Sequence, residues 1–578
     1  MSSDGNGAKM SIVSGRRKPG LGGSITALTI ISMASNVLML AGPLYMLQIY
    51  DRVLTSRSVP TLVVLTILIT ALYAYYALIE ALRGRMAIRI ANVIDARITE
   101  RLFAATVQFK LTPGAFGNVD PLREGDTLRQ FIASPGPLAL LDLPWMVVYL
   151  GIIFLMHPSL GWLATAGAIV IVLLAIGNEA MSRGPAYKAS AVQLARRRNA
   201  DAVRSNAEVV VGMGMLGDLE RRHRILNDEL LAVQRVGTDR TGWFSSAIKG
   251  LRFLLQSAVL ALGAYLAIAG EMTAGLMIAA AIITSRALAP VDQIVGQWRG
   301  FVAARQSLTR IRSMLAALDR AKVETRLPLP TKTLVVGQMA AAPRGSRMPV
   351  VSGVNFSLAA GEAVAILGSS GSGKSSLVRG LIGVWPALAG SVRLDGALIS
   401  HYDAQRMGEI IGYLPQRVEL FEGTVAENIA RFRADTTSEA VIAAAKTANV
   451  HDLILSLPGG YDTQVGEQGQ LLSAGQCQRI GLARAIYGNP FVVVLDEPDS
   501  NLDAEGSAAL TDAIGAMKAR GSVVLVVAHR PSMVAAVDKL LLLQGGRQVM
   551  FGPKDEVLAK MEPPAPRANV HTIRMPGS

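Results

Sequence analysis

The run Gly368-Ser369-Ser370-Gly371-Ser372-Gly373-Lys374-Ser375 directly follows five apolar residues, Ala363-Val364-Ala365-Ile366-Leu367. A helix-forming stretch from Lys374 to Gly383 comes next. The spacing is that of a phosphate loop between a buried strand and a helix. Its glycines let backbone N–H groups turn inward around phosphate oxygens, and the helix N-terminus adds the positive end of its dipole. Lys374 is then expected to reach the β and γ phosphates and the Ser375 hydroxyl to hold a magnesium ion. Ser376 completes the set of loop residues expected to bind nucleotide.

A second apolar run, Phe491-Val492-Val493-Val494-Leu495, ends in Asp496-Glu497. A buried strand of this kind presents its acids at its C-terminal end, where open α/β sheets bind ligands. Asp496 is expected to hold magnesium, through water. Glu497 is expected to orient or deprotonate the attacking water.

The elements that carry these groups occupy only the second half of the chain. Of 578 residues, 51% are hydrophobic and 17% charged, against about 25% charged in an average soluble protein. This excludes a disordered chain. One cysteine, Cys477, excludes an intrachain disulfide framework and a cysteine-based zinc site. The apolar residues are concentrated before residue 300, which disfavours an ordinary cytosolic enzyme. Residues 24–50 and 58–79 contain no charge, and both runs exceed the ~20 residues that cross a hydrocarbon core. Between Asp142 and Glu179 there is no Asp, Glu, Lys or Arg, and His157-Pro158 divides that stretch in two. The pattern predicts spans near 25–49, 59–81, 138–156, 159–177, 250–269 and 272–291. The first is too long for the apolar part of a signal peptide.

Charge placement predicts the orientation. The N-terminal arm carries Arg16, Arg17 and Lys18, and the segments after spans two and four are rich in arginine, beginning with Arg83 and Arg183. The opposite loops are short. The basic side is therefore expected in the cytoplasm, which accounts for the net charge of +14 without nucleic acid. Residues 82–111 and 180–235 have helix-forming composition and should project from the membrane. Arg286, inside the sixth span, should face water or a carboxylate such as Asp142 rather than lipid.

Between the two strands lies Leu472-Ser473-Ala474-Gly475-Gln476. This resembles the signature of ATP-binding cassette (ABC) proteins, usually LSGGQ. In the same comparison Gln416 resembles the Q-loop glutamine, Asp503 the D-loop aspartate and His529 the switch histidine. The resemblance implies an α-helical six-span transmembrane domain of the ABC exporter type, fused to an α/β P-loop nucleotide-binding domain. It implies ATP and Mg2+ as cofactors. It implies Glu497, His529 and Gln416 as catalytic residues and Ser375, Gln416 and Asp496 around the metal. It also implies a homodimer in which ATP lies between Lys374 and Ser375 of one copy and Ser473, Gly475 and Gln476 of the other. Two departures stand out. Ala474 replaces a signature glycine, and no aromatic occurs in 339–343, where many cassettes stack one on adenine.

The membrane half narrows the resemblance. Residues 43–54, Pro43-Leu44-Tyr45-Met46-Leu47-Gln48-Ile49-Tyr50-Asp51-Arg52-Val53-Leu54, are similar to the first helix and loop of type I protein secretion ATPases. Leu141-Asp142-Leu143-Pro144-Trp145 and Arg286-Ala287-Leu288-Ala289-Pro290-Val291-Asp292-Gln293 resemble their third and sixth helices. The PrtD type is the nearest likeness. It implies export of unfolded calcium-repeat proteins with an uncleaved C-terminal signal, the short arm before the first span leaving no room for a peptidase. The implied partners are a periplasmic adaptor, a TolC-type outer-membrane channel, the secreted substrate and membrane lipid, in a bacterial inner membrane. A lipid or lipopolysaccharide flippase of the same architecture is the alternative. The expected organisation is an arm over 1–23, a transmembrane domain over 24–315, a linker over 316–332, the cassette over 333–561 and a disordered tail over 562–578.

Overall fold

The structure, a computed structural model, describes residues 21–111, 119–320, 327–528 and 530–561. It forms two units, one of long helices and one built on a sheet. The expected tail, and the expected arm up to residue 20, lie outside the described residues, and residues 21–23 of that arm already belong to the first helix.

In the helical unit, six helical segments among the described residues are long and apolar enough to cross a membrane. The first covers Gly22–Ser56 and is interrupted. A regular helix runs over Leu21–Met39, a second over Ala41–Gln48, and a wider π-helical turn over Ile49–Val53. The other five helices are Val59–Lys110, Pro135–Met156, Pro158–Ser205, Leu216–Ile268 and Ala274–Gly296. A further helix, Trp298–Arg320, continues after a break at Gln297.

Spans two, four and five continue without interruption into the expected projections. The second helix has 52 residues, about 78 Å at 1.5 Å per residue, against about 30 Å of hydrocarbon. The fourth contains Pro185 within its length. Within the helix-forming stretch 180–235 the chain turns at 213–215, in the range 212–218 where the sequence places a tip, and Gly214 there adopts φ +66°. Many apolar side chains of the spans point outward, Leu155 and Ile268 among them, as a lipid-facing surface requires. The sixth span is the most enclosed, because small residues such as Ala280 and Ala287 let neighbouring helices approach closely.

Polar side chains fasten the first three spans. Arg83, only 3% exposed, donates to Asp142 at 2.5 Å and to the Leu138 carbonyl at 3.0 Å. Asn36 donates to the other Asp142 oxygen at 2.7 Å, and the Tyr149 hydroxyl donates to the Asn36 carbonyl at 2.8 Å. Asp142 is thus engaged by Arg83 and Asn36, not by Arg286. Arg286 is exposed and makes no ion pair among the described residues. Asp292 pairs with Arg252 of the fifth helix at 3.4 Å. On the opposite rim, Asp51 caps the sixth span, accepting from the Thr273 hydroxyl at 2.6 Å and the Gly275 N–H at 2.8 Å.

The second unit holds a ten-stranded sheet among the described residues. In chain order its strands are β1 (Thr333–Ala341), β2 (Val351–Ala359), β3 (Ala363–Leu367), β4 (Ala387–Leu394), β5 (Ala397–Leu398), β6 (Ile411–Leu414), β7 (Val492–Asp496), β8 (Val523–Val527), β9 (Lys539–Gln544) and β10 (Arg547–Pro553). Their spatial order is β5-β4-β1-β2-β10-β9-β3-β8-β7-β6. From β9 to β6 every pairing is parallel. Strands β3, β7 and β8 are buried along nearly their whole length, which explains their unbroken apolar runs. Apolar cores cover both faces of this part of the sheet.

Candidate active site

Parallel pairing brings the C-terminal ends of β6, β7, β8 and β3 to one edge. Val527 of β8 stands opposite Ile366 of β3 on one side and Asp496 of β7 on the other. Leu414 of β6 stands opposite Leu495. Each strand runs into a residue singled out by the sequence: the phosphate loop after β3, Asp496 and Glu497 at and after the end of β7, and Gln416 after β6. His529, just after β8, lies outside the described residues.

The loop needs its glycines for two separate reasons. Gly373 adopts φ +98°, a left-handed conformation that side chains disfavour. At Gly368 a Cβ would lie 2.3 Å from the Leu543 carbonyl oxygen, so the loop could not pack against β9. The helix Lys374–Leu381 begins directly behind Gly373. Lys374 is 6% exposed and folds back over the loop, donating to the carbonyls of Gly368 at 2.9 Å and Ser369 at 3.0 Å. Ser372 is buried, and its hydroxyl has no hydrogen-bond partner among the described residues.

The Ser375 hydroxyl donates to Asp496 at 3.3 Å. Asp496 is 3% exposed. Burial pushes its carboxyl above the usual carboxylate range, the Ser375 hydrogen bond opposes the push, and the neighbouring Glu497 adds to it. A cation placed here would restore the charge balance of a carboxylate that is otherwise costly to ionise. Two hard oxygen donors on one face also suit magnesium.

Glu497 adopts φ +51°, so the chain turns sharply as it leaves β7. Its N–H still donates to the Val527 carbonyl at 3.2 Å. The Gln416 side chain donates to its carboxylate at 2.8 Å. The structure therefore brings together Lys374, Ser375, Asp496, Glu497 and Gln416.

The signature residues form a separate group. Ser473 caps the helix Ala474–Ile486 in a reciprocal pair: the Gln476 N–H donates to Ser473 Oγ at 3.2 Å, and the Ser473 N–H donates to Gln476 Oε1 at 2.8 Å. Ala474 is the first helical residue and has no positive φ, so it imposes no backbone strain. Among the described residues no hydrogen bond joins Ser473, Gly475 or Gln476 to the phosphate loop of the same copy. Asp503 caps the helix Ala504–Ala519 and accepts from Arg479 at 2.9 Å.

Sequence reasoning missed the side chains that join these parts. Gln478 is buried and donates to the Pro498 carbonyl at 2.7 Å, while Asn501 donates to Gln478 at 2.9 Å. A lone glutamine in a helix gives no sequence signal for such a tie. The stretch in which many cassettes place an adenine-stacking aromatic is buried: Met339 and Ala341 of β1 pack in the core. Met348 and Val350, on the loop returning to β2, are exposed. Cys477 is buried, which raises its thiol pKa.

Comparison with known proteins agrees with this division. Residues 351–500 match the family "ABC transporter", and residues 122–288 match "ABC transporter transmembrane region". The chain is 48% identical over 537 residues, 92% of each chain, to the type I secretion system ATP-binding protein PrsD of Rhizobium meliloti. It is 27% identical to the cyclolysin secretion/processing ATP-binding protein CyaB of Bordetella pertussis, over 92% of this chain and 75% of that protein. The corresponding match to the alpha-hemolysin translocation ATP-binding protein HlyB of Escherichia coli is 26%, over 92% and 76%. A bacterial Atm1-family ABC exporter with ATP bound has the same fold, with a TM-score of 0.81 at 23% identity over 93% of this chain and 96% of that one. The chain belongs to the ABC transporters of type I secretion systems, and it is an ATP-hydrolysing transporter of a bacterial inner membrane.

Proposed function

We propose that this chain exports unfolded proteins bearing calcium-binding repeats and an uncleaved C-terminal signal, working with a periplasmic adaptor and a TolC-type outer-membrane channel. The observation that carries the reading is the 48% identity to PrsD across 92% of both chains. The N-terminus and the cassette face the cytoplasm in this proposal, because arginines cluster on that side of the spans. The domain limits are those expected from the sequence, with the membrane part over 24–315 and the cassette over 333–561.

Two copies pair head to tail, each binding ATP between its own phosphate loop and the partner's signature. Lys374 turns from the carbonyls of Gly368 and Ser369 to the β and γ phosphates. That exchange favours nucleotide, because phosphate oxygens are stronger acceptors for an ammonium than neutral carbonyls. Ser375, Asp496 and Gln416 would hold magnesium, which when bound neutralises charge on the phosphates. Glu497 orients the attacking water and accepts its proton. Gln416 holds the Glu497 carboxylate in place at 2.8 Å until nucleotide draws it away. His529 steadies the γ phosphate in the role implied by its place after β8. ATP binding closes the pair, hydrolysis lets it part, and the long helices carry the movement to the spans.

The test is secretion of a calcium-repeat protein by cells with and without this chain, the adaptor and channel being present in both. Export that continues without the chain, while a lipid in the outer leaflet falls instead, would reject the reading.

A further inference from the structure

A cavity of about 320 Å³ lies between the fourth helix and the start of Trp298–Arg320. Its depth in the membrane follows from chain length. A 30 Å hydrocarbon core takes about 20 helical residues. Counted from Pro158 and Ala274, the two spans emerge near residues 177 and 293. The cavity wall begins at Glu179 and at Trp298, so it sits at the boundary between hydrocarbon and water.

Its lining suits that position. Trp298 stacks on Phe301 with ring centroids 5.2 Å apart, and the Arg183 guanidinium lies over the Tyr187 ring at 5.9 Å. Amphipathic aromatics at headgroup level anchor helices in bilayers. Arg183 and Arg305 both line the cavity, and neither has an ion-pair partner among the described residues. Arg310 is spoken for by Glu124 at 3.1 Å. Two buried donors, the Trp298 indole N–H and the Gln306 side-chain amide, find no acceptor among the described residues. Buried donors are seldom left in that state.

We propose that this cavity is the seat of one phospholipid, whose phosphate lies between Arg183 and Arg305 with its acyl chains in the adjoining bilayer. Two guanidiniums offer forked donors that fit phosphate oxygens. Glu179, on the same wall, limits the excess to one positive charge. That balance favours a phosphodiester carrying a single negative charge under an uncharged headgroup, as in phosphatidylglycerol. It disfavours a phosphate monoester or free phosphate, whose second charge would meet the carboxylate. The leaflet, but not the site, rests on the orientation proposed above. On that reading it is the cytoplasmic leaflet, whose anionic lipids attract such basic groups.

The experiment titrates the purified full-length protein in detergent with phosphatidylglycerol and counts bound lipid by native mass spectrometry. Arg183→Gln with Arg305→Gln should weaken binding by about tenfold or more. The charge-matched pair Arg221→Gln and Arg224→Gln, on the exposed part of the fifth helix, should not. Arg183→Lys with Arg305→Lys keeps both charges and should fall between the two. Phosphatidylcholine should bind the parent more weakly than phosphatidylglycerol. Equal binding by the parent and the Arg183/Arg305 glutamine variant overturns the proposal. So does displacement of the lipid by millimolar inorganic phosphate, or by polyglutamate with the same residue dependence, which would make this a free-anion or polypeptide site. Since lipid binding is the readout, failure of the secretion reading or of the orientation leaves the result interpretable.

Discussion

Arg83 of the second span and Asp142 of the third meet at 2.5 Å within the helix bundle, and a glutamate one turn away, Glu80, touches the same arginine at 3.4 Å. Removing one partner strands a buried charge, at a cost of about 3–5 kcal/mol. Asp142→Leu should therefore lower the thermal stability of the purified protein by the lower part of that range, since half-exposed Glu80 retains a weak hold on Arg83. Combining it with Arg83→Met should recover most of the loss. A single variant as stable as its parent would show that the pair carries no such burden.

Glu497→Gln keeps the shape of the side chain and its contact with Gln416 but cannot accept a proton. Turnover should fall by about 10²–10⁴-fold while ATP binding persists. Steady-state ATPase assays and equilibrium nucleotide binding separate the two effects. Activity within about twofold of the parent rules out Glu497 as the base.

Lys374→Ala removes the cation now folded over the phosphate loop. Nucleotide affinity should drop by at least about tenfold, because charge-assisted hydrogen bonds to phosphate are lost. Equilibrium titration with labelled ATP measures it. Unchanged affinity would mean that the loop does not hold phosphate.

Asp395 gives the cassette an acid-sensitive joint. Its carboxylate accepts from the N–H groups of Thr331, Lys332 and Thr333 at 2.8, 3.0 and 2.7 Å. Burial works to raise its pKa, but the three hydrogen bonds outweigh it and hold the group below its ordinary value of 3.8. The unfolded chain therefore binds the proton first. The stabilisation is complete above about pH 5 and is lost as pH falls through 3.8 and the folded value below it. Asp395→Asn should lower the melting temperature at pH 7 by a few degrees, and the gap from the parent should close at the acid end. Parallel melting curves over the whole pH range would refute this.

The sequence was legible where chemistry forces both residue type and spacing. The phosphate loop has few alternatives, and Asp496-Glu497 had to stand at a strand end because the five residues before them are apolar. It was illegible where partners meet by tertiary packing. Arg83 reads as one more arginine of a basic segment, yet it is buried and paired across the bundle. For Arg286 inside its span, water and a carboxylate such as Asp142 were both open, and the helix packing gave Asp142 to Arg83 and Asn36. Gln478 and Asn501 bind the signature helix to the loop after β7 without any pattern that marks them.

Pro185 sets the fourth helix apart mechanically. It removes one backbone hydrogen bond and props the preceding turn open, so bending is cheapest there. From Pro185 to Ser205 is about 30 Å of helix, and a flexion of about 10° at that point would swing the far end by roughly 5 Å. The fifth helix has no proline, and the second has only Pro60 in its first turn, so neither has such a joint. A comparable excursion in them requires the whole rod to tilt, and the bilayer resists that along the entire span. Replacing Pro185 with alanine would stiffen the one compliant member of the set, making the fourth helix pivot with its transmembrane part instead of yielding beside it.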